Sequence, residues 1–254
     1  MLLSYITTES NGTLTLDQLL RGPLSLSARE VREAKRLGLT VDGAPFFANQ
    51  RIGAGRTVAI PLAEYDMPTD FSAPAEVDIL YQDDALIAVR KPAPLQVHPS
   101  PSAPRGADTL EGRVQSYLRG GAHPVHRLDA ETTGIVLFAK LPYVQAHIQR
   151  QMQADTFRKE YLALVCGVLP ESEGVIDAPI ARLGAGAKRA VCPGGQRAVT
   201  RYRVEAALRD ISLVRLFPVT GRTHQLRVHM AHIGHPLLGD TRYFTAESAN
   251  LAAQ

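Results

Sequence analysis

The stretch PVHRLDAETTGIVLFAK, residues 124–140, decides how this chain is read. Its second half, GIVLFA, is a short continuous apolar run bounded by Thr132-Thr133 and Lys140, which is the pattern of a buried strand. Asp129 stands just ahead of that strand. A rigid element would fix its backbone and leave its side chain at the end of a sheet, a good place to hold a reacting group accurately. A carboxylate there is costly unless a cation meets it. The chain offers Arg127 beside it and, further on, Arg222 and Arg227 in TGRTHQLRVH. From spacing alone, a turn or capping role for Asp129 stays open.

Outward from this stretch, strands dominate. VDILYQ and ALIAVRKP flank an Asp83-Asp84 turn and predict a hairpin. KEYLALVCG alternates, with Tyr161, Ala163 and Val165 on one face, while AVTRYRVEAAL and ISLVRLFPV predict two further long strands. Between them TLEGRVQSYL, PYVQAHIQRQMQ and HQLRVHMAHIG read as helices, the last ended by Gly234 with Leu226, Met230 and Ile233 on its apolar stripe. The fold class is therefore α+β, a mixed and mainly antiparallel sheet with flanking helices spanning 77–254. Residues 1–62 predict a smaller α/β unit ahead of it, and the Pro- and acid-rich 63–76 a linker. In the small unit SAREVREAKRLG opens with a capping box, Ser27 and Glu30, and closes on Gly38. Val31, Ala34 and Leu37 should face a core, with Arg29, Arg32 and Arg36 on the opposite side.

The 254 residues are 45% hydrophobic and 21% charged, as in folded chains, and no apolar run approaches the ~20 residues of a membrane helix. The start, MLLSYITTESNG, is a poor signal peptide, so a cytoplasmic location is expected. Cys166 and Cys192 are far apart and outside any CxxC pattern, as inert thiols would be. No HExxH or other metal-ligand spacing appears among the eight histidines, and there is no Gly-rich phosphate loop. The formal net charge of +3 conceals segregation. Residues 61–90 carry seven acids against Arg90, whereas residues 182–230 carry ten Lys/Arg against Glu205 and Asp210. Such asymmetry is how a polyanion-binding surface shows in a nearly neutral chain.

HRLDAETTGIVLFAK resembles the signature of the RluA-type pseudouridine synthases: His-Arg-Leu-Asp, two variable residues, Thr, a small residue, Gly, then an apolar strand ending Ala-Lys. DILYQDDALIAVRKPAPLQVHPS is similar to that family's opening hairpin and Lys-Pro loop. RKEYLALVCG resembles its second motif and TGRTHQLRVHMAHIGHPLLGDTRY its third. Residues 13–60 resemble the small RNA-binding domain, shared with a small-subunit ribosomal protein, that many members carry in front. The chain departs from the pattern in having Thr133 where Ser is usual. After GDTRY, YFTAESANLAAQ stands where the family continues into closing strands, so the sheet is expected to close differently or to lack them.

The resemblance implies an enzyme that breaks the N1–C1′ bond of a uridine in ribosomal RNA or tRNA and rejoins the base through C5, without cofactor or metal. It implies Asp129 as the catalytic carboxylate, Tyr161 as the ring stacked on the base, and Arg227 as the guanidinium that keeps Asp129 ionised. Arg127 would fill the gap left by the extruded nucleotide, and Leu226 would wall the base. His126, Arg222 and His224 would contact RNA near the target, and Arg29, Arg32 and Arg36 would bind it from the N-terminal domain. The expected state is a monomer, its partner RNA and not a membrane. Two rivals remain. A glycosidase could use Asp129 and Glu131, ~7 Å apart as same-face strand neighbours, but the chain has no Trp for sugar stacking. A catalytically silent RNA-binding or assembly protein would share the basic surface but has no need of Asp129, Tyr161 and Arg227 together.

Overall fold

The computed structural model describes residues 1–63, 73–100, 103–104, 106–184 and 188–244. Most of the expected linker 63–76, parts of the Pro-rich loop after Val97, and residues 245–254, on which the expectation about closing strands rests, lie outside them. The chain divides into two compact units, Met1–Gln153 and Ala154–Gln254, so the division falls inside the stretch read as one catalytic domain.

The first unit opens with β1 (Leu2–Ile6), α1 (Leu16–Arg21), α2 (Ala28–Arg36), β2 (Thr40–Val41), β3 (Ala44–Pro45) and β4 (Thr57–Pro61). Its first sheet has the order β1-β4-β2-β3. Thr15 and Ser27 start the two helices, each with both bonds of a capping box. Their apolar faces, Leu16, Leu19 and Leu20 on α1 with Val31 and Ala34 on α2, close over Val41, Val58 and Ile60 of the sheet. Each such side chain contributes roughly 1.5–3 kcal/mol when fully buried. Leu37, expected in this core, is instead the C-cap of α2 and 43% exposed, because the helix ends at Arg36, one residue before it. The N-terminal MLLSYI, judged from sequence a poor signal peptide and given no element, is an edge strand with Leu3 and Tyr5 turned to the core.

A second sheet of the same unit has the order β5-β6-β8-β7, made by β5 (Asp78–Gln82), β6 (Leu86–Lys91), β7 (His123–Pro124) and β8 (Gly134–Ala139). The Asp83 carboxylate caps the β5–β6 turn by accepting from the amides of Ala85 and Leu86. Ile87, Val89, Val136 and Phe138 are fully buried on its inner face. Between β6 and β7 lies α3 (Leu110–Leu118), capped by Thr109. After β8 comes α4 (Pro142–Gln153), and Leu141 just before it and Tyr143 within it join the core of the first sheet. The Tyr143 hydroxyl donates to the Leu24 carbonyl at 3.1 Å, and Arg150 donates to that of Ser25 at 2.8 Å.

The second unit is built on the sheet β10-β13-β14-β9, from β9 (Tyr161–Cys166), β10 (Glu173–Asp177), β13 (Val199–Leu208) and β14 (Ile211–Pro218). One face carries α5 (Gln225–His232), with Met230 buried among Val165, Ile176, Val214 and Leu216. A short hairpin, β11 (Ile180–Arg182) and β12 (Arg189–Val191), packs through Ile180 and Val191 on Val228 of α5 and on Tyr243. Every strand pairing among the described residues is antiparallel. No helix among them is long and apolar enough to cross a membrane.

Candidate active site

Asp129 sits in the loop 125–133 that joins β7 to β8, two strands paired edge to edge. The loop is short of freedom. Val125 and Leu128 are buried, and the Val125 amide donates to the Leu137 carbonyl at 2.9 Å. His126 accepts the Leu137 amide on Nε2 at 3.3 Å, so this ring ties the loop to β8. The Asp129 carbonyl accepts from the Thr132 amide at 3.0 Å, closing a turn. Gly134 then starts β8 with φ of 135°, a value that side chains resist, and an added Cβ would lie 3.5 Å from Leu128 Cδ1. Asp129 itself is half-buried, between exposed Arg127 and exposed Glu131.

Beneath this loop lies a residue to which the sequence reading assigned no role. Lys91, at the end of β6, is 0% exposed. Its ammonium donates to the carbonyls of Pro92 at 2.9 Å, Leu95 at 2.6 Å and Ala130 at 2.8 Å. Ala130 follows Asp129 directly, and its carbonyl also accepts the Leu95 amide at 3.1 Å. Burial pushes the Lys91 pKa down, while the nearby carboxylates of Glu131 and Asp129 work to raise it. A buried cation thus holds the backbone of the aspartate loop. The signal was in the sequence: Lys91 is in phase with Ile87 and Val89 on the inward face of a strand.

In the second unit Tyr161 opens β9, half-buried, on the face toward α5. It and Leu226, from the first turn of α5, border the same apolar cluster. Arg227, one residue on, donates from Nε to Asp240 Oδ2 at 2.6 Å and from Nη2 to Oδ1 at 2.8 Å, and its guanidinium carbon lies 5.2 Å from the centre of the Tyr243 ring. Burial would raise the Asp240 pKa. The bonds from Arg227 and from the Arg242 and Tyr243 amides outweigh it and hold that carboxyl below its ordinary range. Asp240, thirteen positions away in GDTRY, had no sequence signal linking it to Arg227.

The turn before α5 is held by another residue the sequence did not single out. Buried Gln225 accepts from Thr220 Oγ1 at 2.7 Å and from the Arg222 amide at 2.9 Å, and donates to the Val199 carbonyl and Thr200 hydroxyl. Arg222 is exposed and donates to the Arg197 carbonyl at 2.9 Å. His224 adopts φ of 57°, a strained value for a residue with a side chain, and bonds the Tyr243 hydroxyl through Nδ1 at 2.6 Å. His229, fully buried, is structural. Its Nε2 donates to the Ala178 carbonyl and its Nδ1 accepts the Thr200 hydroxyl, both at 2.9 Å. On α2 of the first unit Arg29, Arg32 and Arg36 are all exposed, with Arg36 paired to Glu33 at 2.8 Å.

Residues 85–232 match the family described as RNA pseudouridylate synthase. A Bacillus subtilis protein described as uncharacterized RNA pseudouridine synthase YhcT is 36% identical over 203 residues, covering 77% of this chain and 67% of that protein. Ribosomal large subunit pseudouridine synthase D of Haemophilus influenzae is 39% identical over 204 residues, covering 76% of this chain and 61% of that protein. This chain therefore spans less than two thirds of that relative's length. Among solved structures, human RNA pseudouridylate synthase domain containing 1 has TM-score 0.58 and 27% identity, covering 72% of this chain and 74% of its own. The family match takes in the aspartate loop, β9 and the whole of α5, and the chain belongs to the RNA pseudouridylate synthase family.

Proposed function

We propose that this chain isomerises uridine to pseudouridine in large-subunit ribosomal RNA. The observation that carries this reading is the aspartate loop: a half-buried carboxylate whose backbone is pinned by Leu128 and the Lys91 ammonium, inside the stretch that matches the family. Asp129 serves as nucleophile on the sugar or as the base that begins glycal formation. By either route the N1–C1′ bond breaks, the base turns over, C5 bonds to C1′, the C5 proton leaves and N1 gains one. Tyr161 stacks on the base against the apolar wall of Leu226. Arg227, its plane set by Asp240, serves as the guanidinium of the reaction. Arg127 fills the vacancy left by the extruded nucleotide, and His126, Arg222 and His224 hold the RNA near it.

The ribosomal target is taken from the name of the Haemophilus relative, which is a large-subunit enzyme. Residues 1–62 act as a small RNA-binding domain through Arg29, Arg32 and Arg36, and the chain works as a monomer in the cytoplasm, where its RNA is. Tritium release from C5-labelled uridine tests the activity. The intact protein should release label from a large-subunit ribosomal RNA transcript, and Asp129→Ala should reduce release to background. Absence of release from ribosomal and transfer RNA alike would leave a silent RNA-binding protein.

A further inference from the structure

We infer that the groove at the C-terminal end of β14 is a nucleotide subsite for single-stranded RNA, with Lys159 and Arg201 as phosphate contacts and Phe217 as the ring under a base. It rests on the RNA-modifying reading above and adds to it a site for a nucleotide beside the target. The groove lies within the second unit and measures about 750 Å³, inside the ~300–1,000 Å³ of sites that hold a small molecule. Its floor is a row of side chains. Val175, Arg201 and Phe217 are direct neighbours across β10, β13 and β14, on the face of the sheet away from α5. Arg201 is exposed and Phe217 half-buried, so a guanidinium and an aromatic ring stand side by side at the surface. Cations that follow the backbone, beside rings on which bases stack, are how proteins hold single strands.

Lys159 lines the same groove. It stands two residues before Tyr161, just ahead of β9, and is half-buried. Its ammonium rests against the turn that leads into α5, since a Cβ added to Gly221 would lie 3.5 Å from Nζ. That turn is rigid, because Gln225 accepts from Thr220 Oγ1 and from the Arg222 amide. Burial pushes the Lys159 pKa down, and Asp155, which forms no ion pair with it, offsets part of that. An ammonium taken partly out of water and fixed against a turn is best satisfied by a charge-assisted bond to an anion.

Several of the groove's other charges are committed to one another. Glu160 is bonded to Arg215, while Arg203 at 2.8 Å and Arg215 at 2.6 Å share Glu205. Arg158, Lys159 and Arg201 then stand against Asp155 and Glu173. Both of these acids are exposed, where water and salt screen them, whereas half-buried Lys159 is screened less. The groove also borders residues assigned to the uridine: Tyr161 follows Lys159 by two positions, and Arg222 follows Gly221. An RNA strand whose target base meets Tyr161 and Leu226 would carry its neighbouring nucleotide past Lys159 to Phe217.

The test uses the full chain with Lys159→Gln, Arg201→Gln and Phe217→Leu made singly, and Lys159→Arg as a charge-keeping control. Binding of a 20-nucleotide oligouridine is measured against salt, and tritium release from the ribosomal transcript gives KM and kcat. Each glutamine variant should flatten the log–log salt slope by about 0.7, the share of one phosphate on a single strand, and Lys159→Arg should keep it. Phe217→Leu should weaken binding about tenfold at every salt concentration with the slope unmoved, because stacking releases no counterions. The losses in turnover should be carried by KM. Arg201 is exposed and its variant should melt as the wild type does, so its slope decides even where Lys159→Gln loses stability. Unchanged affinity, slope and KM in these variants, with the intact protein active, would overturn the subsite and leave the enzyme reading standing. A fall in kcat alone would also overturn it, since Lys159 would then only position Tyr161. An intact protein that releases no label overturns the enzyme reading, and oligouridine binding still decides whether the groove holds RNA.

Discussion

Replacing Lys91 by Met would leave the carbonyls of Pro92, Leu95 and Ala130 facing a methyl group in place of an ammonium. Buried acceptors left without a donor cost about 1–3 kcal/mol each before relaxation, so Lys91→Met should destabilise the protein by about 3 kcal/mol in urea titration. A second consequence separates positioning from mere structure. The ammonium holds the Ala130 carbonyl, so removing it frees the backbone that carries Asp129. In tritium release kcat should therefore fall by about 10²-fold with KM little changed. Stability lost with kcat unmoved would confine Lys91 to a structural role. This residue was legible, because strand alternation places it inward with Ile87 and Val89. The Arg227–Asp240 fork was not, because a bond between a helix and a distant loop leaves no period in the sequence.

At the scale of elements, α5 is joined to its sheet by more than apolar contact. His229 links it to β13 through Thr200 and to the segment before β11 through Ala178. Burial pushes the His229 pKa down, and His232 adds to this, while the Ala178 carbonyl and Asp177 pull the other way. The folded pKa thus lies below the unfolded value near 6.5. Above that value both states are neutral and the full stability is present. Below it the unfolded chain takes up a proton that the folded chain resists, and stability falls as pH falls. Urea titrations of the wild type and His229→Gln between pH 5 and 8 should diverge below about pH 6.5, by at most about 1.4 kcal/mol per pH unit. His123, whose pKa burial also lowers, acts in both proteins and cancels in the difference. Parallel curves would show that His229 does not set this dependence. The long, clearly periodic elements, α2, β9, β13, β14 and α5, were all readable from sequence. The N-terminal edge strand β1 and the three-residue strands β11 and β12 were not, since neither a single apolar run without turn signals nor a pair that short carries a period.

For the molecule as a whole, a net charge of +3 would suggest weak attraction to RNA, and only the arrangement of charge says otherwise. The first unit presents its cations along α2, where Val31 and Ala34 are buried while Arg29, Arg32, Lys35 and Arg36 are exposed. Each phosphate that this face contacts would release counterions on binding. Arg29→Gln with Arg32→Gln should therefore lower the salt slope for single-stranded RNA by about 1.4. Filter binding between 50 and 300 mM salt reads this directly, with the melting temperature as a check that exposed positions cost no stability. An unchanged slope in the α2 variant would return its arginines to a solubilising role.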